Sequence, residues 1–208
     1  LSYIGSKPAN KPVVASDLDP TVITGQTALA VAPADTDEFL ISDGGVLKRL
    51  DASLVGGGGI TEADQWRLTA NITADATPIT SNLERNDSTG FAYIGSGMSE
   101  SSGVFTFPST GIYYVTYHLK GYPNTNDDII GNIQVTTDNS SYTSVVQVAI
   151  SRDGNGVDAA TNSCFIDVTD TTQVKVRFAV TDITSGTTVH GSTSENRTCF
   201  TFIRLGDT

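Results

Sequence analysis

The stretch Gly111-Ile-Tyr-Tyr-Val-Thr-Tyr-His-Leu119 reads as a β-strand without a water-facing side. Side chains in a strand alternate between two faces. One face here carries Ile112, Tyr114, Thr116 and His118, and the other Tyr113, Val115, Tyr117 and Leu119. Antiparallel sheets usually pair an apolar face with a polar one. A strand that is apolar or aromatic on both faces needs two covers, and the core of one sandwich supplies only one. The second cover is most simply another copy of the chain. Cys199-Phe-Thr-Phe-Ile-Arg-Leu205 repeats the pattern, with Phe200 and Phe202 on one side and Ile203 and Leu205 on the other.

The rest of the composition fits an all-β protein with many turns. Thr, Ser, Asn, Asp and Gly are abundant, Met and Trp occur once each, and no long amphipathic helical pattern appears. A net charge of −11 leaves no basic footprint for nucleic acid and argues against anionic membranes. It suits solubility among many copies at high local density, with a cationic ligand as the other reading. No apolar run is long enough to span a bilayer, so membrane insertion is not expected. Cys164 and Cys199 each sit in an apolar strand-like run and are expected to be free thiols, which fits assembly in a reducing cytoplasm.

Four segments follow one another. Residues 1–34 are poor in apolar residues and are punctuated by Pro8, Pro12, Pro20 and Pro33, each of which fixes extended geometry and removes a donor. Such a segment builds no core of its own, so it is either disordered or laid along a partner. Its apolar spots, Tyr3 and Ile4, Val13 and Val14, Val22 and Ile23, favour the second, an extended arm docked on a partner. Residues 35–55 read as a β-hairpin turning at Asp43-Gly44, with Phe39-Leu40-Ile41 paired against Val46-Leu47. A lone hairpin is marginal in water, so copies of itself would supply the missing burial. Residues 56–59, four glycines, form a flexible joint. Residues 60–208 carry strands expected at 66–72, 91–94, 104–107, 112–122, 129–136, 142–150, 163–168, 174–180 and 198–205, the pattern of an antiparallel sandwich or jelly roll.

Three motifs in the last segment are familiar. Ser101-Ser-Gly-Val-Phe-Thr-Phe-Pro-Ser-Thr-Gly-Ile-Tyr-Tyr-Val115 resembles the central motif of complement globular heads and tumour-necrosis-factor-like jelly rolls. Ile166-Asp-Val-Thr-Asp-Thr-Thr-Gln-Val-Lys-Val176 resembles their penultimate hairpin, and Thr198–Leu205 their last strand. The resemblance implies a two-sheet jelly roll that assembles as a homotrimer around an axis lined by one sheet. Tyr113, Tyr114, Val115, Tyr117, His118, Phe200, Phe202 and Ile203 would then belong to the core or the trimer interface. It also implies that the long strand separates those bearing Cys164 and Cys199. Two strand spacings are about 10 Å, beyond the ~7 Å that a disulfide tolerates between Cα atoms.

A narrower resemblance is carried by Trp66-Arg-Leu-Thr69, Gly95-Ser-Gly-Met-Ser-Glu-Ser-Ser-Gly103, Tyr3-Ile-Gly-Ser-Lys-Pro-Ala-Asn10 and Asp37–Leu50. These look like parts of short trimeric fibre proteins of tailed bacteriophages, many from aquatic hosts. The implied protein is a virion-surface fibre or spike, made in the host bacterial cytoplasm. Residues 1–55 would anchor it to a capsid or tail protein, and an outward head would bind a host surface glycan or protein. A capsid decoration or head-fibre protein that stabilises the shell is the first alternative. A polysaccharide depolymerase is the second; it needs two carboxylates converging in a groove, and no pair is nominated.

No catalytic set stands out, and no His/Cys cluster has metal-ligand spacing. Asp127 and Asp128 read either as an acidic solvent loop or as oxygen ligands for calcium, which some members of the jelly-roll family bind near their axis. No other cofactor is implied. The loops 121–128, 153–162 and 182–196 are rich in groups that hydrogen-bond carbohydrate, and Tyr122 is an aromatic that could stack on a sugar. Tyr122, Asn124, Asn126 and Asn155 are the receptor-binding candidates.

Overall fold

The computed structural model describes residues 25, 27, 33–34, 36–55, 59–124, 127–151 and 156–208. The arm residues Tyr3, Ile4, Val13, Val14, Val22 and Ile23 lie outside the described residues, as do Asn126 and Asn155. The chain divides into two compact units, Leu1–Gly58 and Gly59–Thr208.

In the first unit, β1 (Glu38–Asp43) and β2 (Val46–Asp51) form an antiparallel hairpin, followed by a 3-10 turn at Ala52–Leu54. Gly44 and Gly45, with φ of +58° and +83°, make the two-residue connection. A tight hairpin turn of this hand wants positive φ at both central positions, and two glycines supply that without steric cost. The turn therefore sits one residue later than Asp43-Gly44, and the expected pairing is corrected. Asp43 faces Val46, while Phe39, Leu40 and Ile41 face Leu50, Arg49 and Lys48. Arg49 pairs with Glu38 at 2.9 Å, and Lys48 with Asp43. Phe39, Leu40 and Val46 stay exposed.

Among its described residues, the second unit is an antiparallel two-sheet sandwich of eleven strands. They are β3 (Ala63–Leu68), β4 (Leu83–Arg85), β5 (Ser99–Ser101), β6 (Val104–Thr106), β7 (Gly111–Tyr122), β8 (Asp128–Thr136), β9 (Thr143–Ser151), β10 (Asp158–Val168), β11 (Lys175–Thr181), β12 (Thr188–Val189) and β13 (Cys199–Gly206). The first sheet runs β10-β7-β13-β3-β4, with β12 pairing the far end of β7, and the second runs β5-β6-β11-β8-β9. Short hairpins such as β5–β6 and β8–β9 stay within one sheet, while the chain crosses between sheets at β4–β5, β6–β7, β7–β8, β9–β10, β10–β11 and β11–β12, the back-and-forth of a jelly roll. The edge strands β9 and β10 are further tied by Asn162 Nδ2, which donates to the Gln147 carbonyl at 2.9 Å.

β7 alternates strictly between buried and half-buried residues along its length. Tyr113, Val115, Tyr117 and Leu119 point into the sandwich and are fully buried. There they meet Phe200 and Phe202 of β13, Phe105 of β6 and Phe178 of β11. The Phe178 and Phe200 rings stack at 4.0 Å, Phe105 and Phe202 lie 5.2 Å apart, and Tyr117 and Phe200 5.0 Å. Each such pair contributes about 0.5–1.5 kcal/mol beyond its area burial, so this cluster is the bond between the two sheets. Gly131 of β8 lies under the Tyr117 ring, where a Cβ would come within 2.6 Å of Cε1 and 2.8 Å of Val148 Cγ1.

Expectation and structure part at the short elements. Residues 91–94 are a loop segment in which only Ile94 bridges to Ala63, and the strand expected at 66–72 is Ala63–Leu68. β4, β5 and β12 are two or three residues long and largely polar, too short for a period-two signal. Cys164 and Cys199 are both free, in strands on either side of β7, opposite Val115 and His118. Burial pushes both thiols up, Cys199 to about 11, so neither is a ready nucleophile near neutral pH.

The Tyr117 hydroxyl is buried with no hydrogen-bond partner among the described residues, and burial raises its pKa. Tyr117→Phe removes an unsatisfied polar atom and keeps the ring, so it is expected to stabilise the chain by about 1 kcal/mol in urea unfolding. Gly131→Ala, by contrast, crowds the same ring and is expected to cost ~1–3 kcal/mol in the same measurement.

Candidate functional site

The outward side of the first sheet is a feature that the core does not explain. Register places Ile112, Tyr114, Thr116, His118 and Lys120 of β7 on it, beside Asp167, Phe165, Ser163 and Thr161 of β10. On the other flank are Ile203, Thr201 and Cys199 of β13. At one end the face is apolar. Tyr114 and Phe165 are directly opposite, with ring centroids 5.5 Å apart, and Ile203 is the other neighbour of Tyr114. Phe165 is 69% exposed and Leu205, in the bulge of β13, is 57% exposed. Towards the other end the face turns to hydroxyls, with His118 Nδ1 and Thr161 Oγ1 2.7 Å apart and Gln65 Nε2 donating to Thr201 Oγ1 at 2.9 Å. Its formal charges are Asp167 and Lys120 at opposite ends.

The same sheet is closed off beyond β13. Arg67 of β3 lies opposite Cys199 yet is buried, because the residues after β4 fold over it. Its Nε donates to Glu84 Oε2 at 2.9 Å, Nη1 to Asn86 Oδ1 at 3.1 Å and Ser88 Oγ at 2.7 Å, and Nη2 to Asp87 Oδ1 at 2.7 Å. Asn86 Nδ2 in turn donates to Asn196 Oδ1 at 2.7 Å. The chain covers the β3–β4 half of this face itself. Among the described residues of the second unit, nothing covers the β10-β7-β13 half.

The residues assigned to core or interface therefore separate. Tyr113, Val115, Tyr117, Phe200 and Phe202 are core, while Tyr114, His118 and Ile203 are on the uncovered face. The loop candidates are partly consumed by structure. The Asn124 backbone N–H donates to Thr187 Oγ1 at 2.9 Å, and its Nδ2 donates to the Ser185 carbonyl at 2.8 Å. Asp127 Oδ2 accepts the hydroxyls of Thr184 and Thr187, which hold its carboxyl below the usual range. Asp128 begins β8 opposite Ser151, and Tyr122 is half-buried opposite Thr188. Among the described residues no group of three or more His, Cys, Asp or Glu side chains could hold a metal ion.

A second surface feature lies at residues 91–94, where the sequence predicts a strand. Arg85, at the free edge strand β4, lies 5.2 Å from the Trp66 ring and 4.7 Å from the Tyr93 ring. Its Nε donates to both oxygens of buried Asp64 at 3.1 Å, and Nη2 reaches the Met98 carbonyl. Clefts of about 390 and 530 Å³ open on either side of it. Phe91-Ala-Tyr-Ile94 is short and flanked by Gly90 and Gly95. Turn glycines at both ends favour an exposed aromatic loop over a strand.

No family model matches the chain, and no curated protein matches it. Solved structures do. Eiger TNF from S. frugiperda superposes with a TM-score of 0.53 at 14% identity, over 72% of this chain and 96% of that one. The fold is a TNF-like jelly roll. Murine APRIL at pH 5.0 gives a TM-score of 0.53 at 8% identity, and at pH 8.0 0.50 at 10%, each over 69% of this chain and 98% of the other. At these identities the likeness speaks for architecture alone.

Burial lowers the pKa of His118 and of His190, with Lys120 adding repulsion at His118 and Arg197 and Lys120 at His190. A histidine depressed in the folded state is protonated first in the unfolded chain. Its contribution is intact above the unfolded value of about 6.5 and is lost as pH falls below it. Thermal midpoints are therefore expected to fall between pH 7.5 and 5.5, and His118→Gln to flatten part of that slope. An identical slope in the variant would clear His118 of any part in it.

Proposed function

We propose that this chain is a homotrimeric structural protein of a bacteriophage virion, a fibre or spike with a binding head and no catalytic role. The observation that carries the trimer is the uncovered, charge-poor half of the first sheet. Tyr114, Phe165 and Ile203 cluster at its apolar end with Ile112 beside them on β7, and interface cores are depleted of charge and rich in aromatics. Three copies packed around an axis on this face would bury what one sandwich leaves wet. The narrower assignment rests on the sequence resemblance of Tyr3–Asn10, Asp37–Leu50 and Gly95–Gly103 to short phage fibres. In it, residues 1–55 dock on a capsid or tail protein. The heads work by binding a host surface glycan or protein, with avidity from several copies per particle. Imaging of the virion distinguishes a tail fibre from a capsid decoration.

The two faces of β7 give the test. Tyr113→Asp buries a charge in the core and is expected to abolish the cooperative unfolding transition. Tyr114→Asp, one residue away, is expected to keep the near-ultraviolet circular dichroism while light scattering falls from three chain masses to one. A Tyr114→Asp protein that scatters as the wild type does would remove this face from the assembly.

A further inference from the structure

We propose that the cleft beside Phe91 and Tyr93 is a binding site for neutral, hexose-containing saccharide. This deepens the reading of the chain as a binding head and rests on it, and it places the site away from the loops of Tyr122 and Asn124.

The segment that bears the two rings is fixed before any ligand arrives. Phe91 N–H donates to the Ser88 carbonyl at 3.0 Å, and Ile94 exchanges both backbone hydrogen bonds with Ala63, at 2.8 and 3.1 Å. Behind it, Glu62 accepts the backbone N–H groups of Ser96 and Gly97, and Asp64 that of Met98 at 2.7 Å. Phe91 is 50% exposed and Tyr93 49%. Exposed rings on a backbone that is already held lose less entropy when a ligand covers them than rings on a free loop would.

The polar lining matches a sugar. Arg85 is locked in place by Asp64, Trp66, Tyr93 and the Met98 carbonyl, yet its Nη1 makes no hydrogen bond among the described residues. Asp87 spends Oδ1 on Arg67 and leaves Oδ2 without a partner among them. Both residues line the cleft of about 390 Å³, and a donor and an acceptor there suit sugar hydroxyls, each of which both donates and accepts. The C–H faces of a pyranose carry partial positive charge and stack on the electron-rich face of an aromatic ring. At about 390 Å³, with a neighbouring 530 Å³ cleft sharing Arg85, the volume is in the range of small-ligand sites. Charge decides against an acidic sugar. The guanidinium of Arg85 is already neutralised by Asp64, and Asp87 and Glu100 line the two clefts.

The test is the full chain on an array of neutral gluco-, galacto- and manno-oligosaccharides, with uronate- and sialate-bearing counterparts beside them. Calorimetry with the best binder follows. Binding of a neutral member is expected, weakened about tenfold or more by Phe91→Ala with Tyr93→Ala and unchanged by Tyr122→Ala. Light scattering on the same samples reports the trimer separately. A trimer that binds no neutral saccharide overturns the site and leaves the assembly standing. So do binding confined to the acidic members, binding indifferent to the double variant, and retention of a host protein in place of any glycan. Saccharide binding by a chain that is not a trimer keeps the site and removes the assembly.

Discussion

A long strand in the middle of a sheet has two faces, and a two-layer sandwich can bury only one of them. β7 lives under that constraint. Its inward residues supply one side of the aromatic cluster that joins the sheets, and the rings of Phe105 and Phe178 from the second sheet close on them. Because Tyr113, Val115, Tyr117 and Leu119 must all point inward, the register of β10 and β13 against β7 is set, since a one-residue slip would invert both strands. The outward residues then have no freedom: Tyr114, Phe165 and Ile203 come together on the far side as a consequence of the core. The apolar patch and the core are two halves of one alternation.

The chain handles the rest of that sheet with ions rather than rings. Arg67 and Asp64 are opposite charges buried on neighbouring parts of β3, one on each face of the sheet. A buried charge is tolerable only when its hydrogen-bonding capacity is filled. Arg67 fills its own with Glu84, Asn86, Asp87 and Ser88, and Asp64 fills its own with Gln65 N–H, Trp66 Nε1, Met98 N–H and Arg85. Between them, these two residues fasten both ends of the segment from Glu84 to Met98. That segment covers part of the outer face and presents Phe91 and Tyr93.

Much of the architecture was legible because it rests on apolar alternation. Gly111–Tyr122 and Cys199–Gly206 each carry enough aromatic residues to declare a strand, and in both the two-faced pattern marked which residues would be core and which would be left over. The sequence alone could not assign the faces, since Tyr113 and Tyr114 are the same residue type and differ only by parity. The structure assigns them through register with Phe165 and Ile203. The clefts beside Arg85 were illegible for a different reason. They depend on contacts between Trp66, Arg85, Tyr93 and Asp64, which are up to twenty-nine residues apart and meet only because β3 and β4 pair. Ion pairs and cation–π contacts leave no period in a sequence, so residues 91–94 looked like another strand. The loops around Tyr122 show the opposite case. Their polar residues promised open binding groups, yet Asn124 and Asp127 are engaged by Ser185, Thr184 and Thr187.

The order of strands keeps the two surface features apart. From β7, at the centre of the uncovered face, to β4, which carries Arg85, the sheet crosses β13 and β3. At about 4.8 Å per strand that is roughly 14 Å. The Arg67 clasp stands between them, so a copy seated on Tyr114 and Phe165 would meet the clasp before it reached Phe91 and Tyr93. Assembly and ligand binding can then occupy one sheet without competing for surface. Acidity adds to the separation. With a net charge of −11 on every chain, copies repel one another wherever carboxylates face each other, and contact is favoured where they are fewest. On the uncovered half of the sheet, Asp167 is the one carboxylate that register places there.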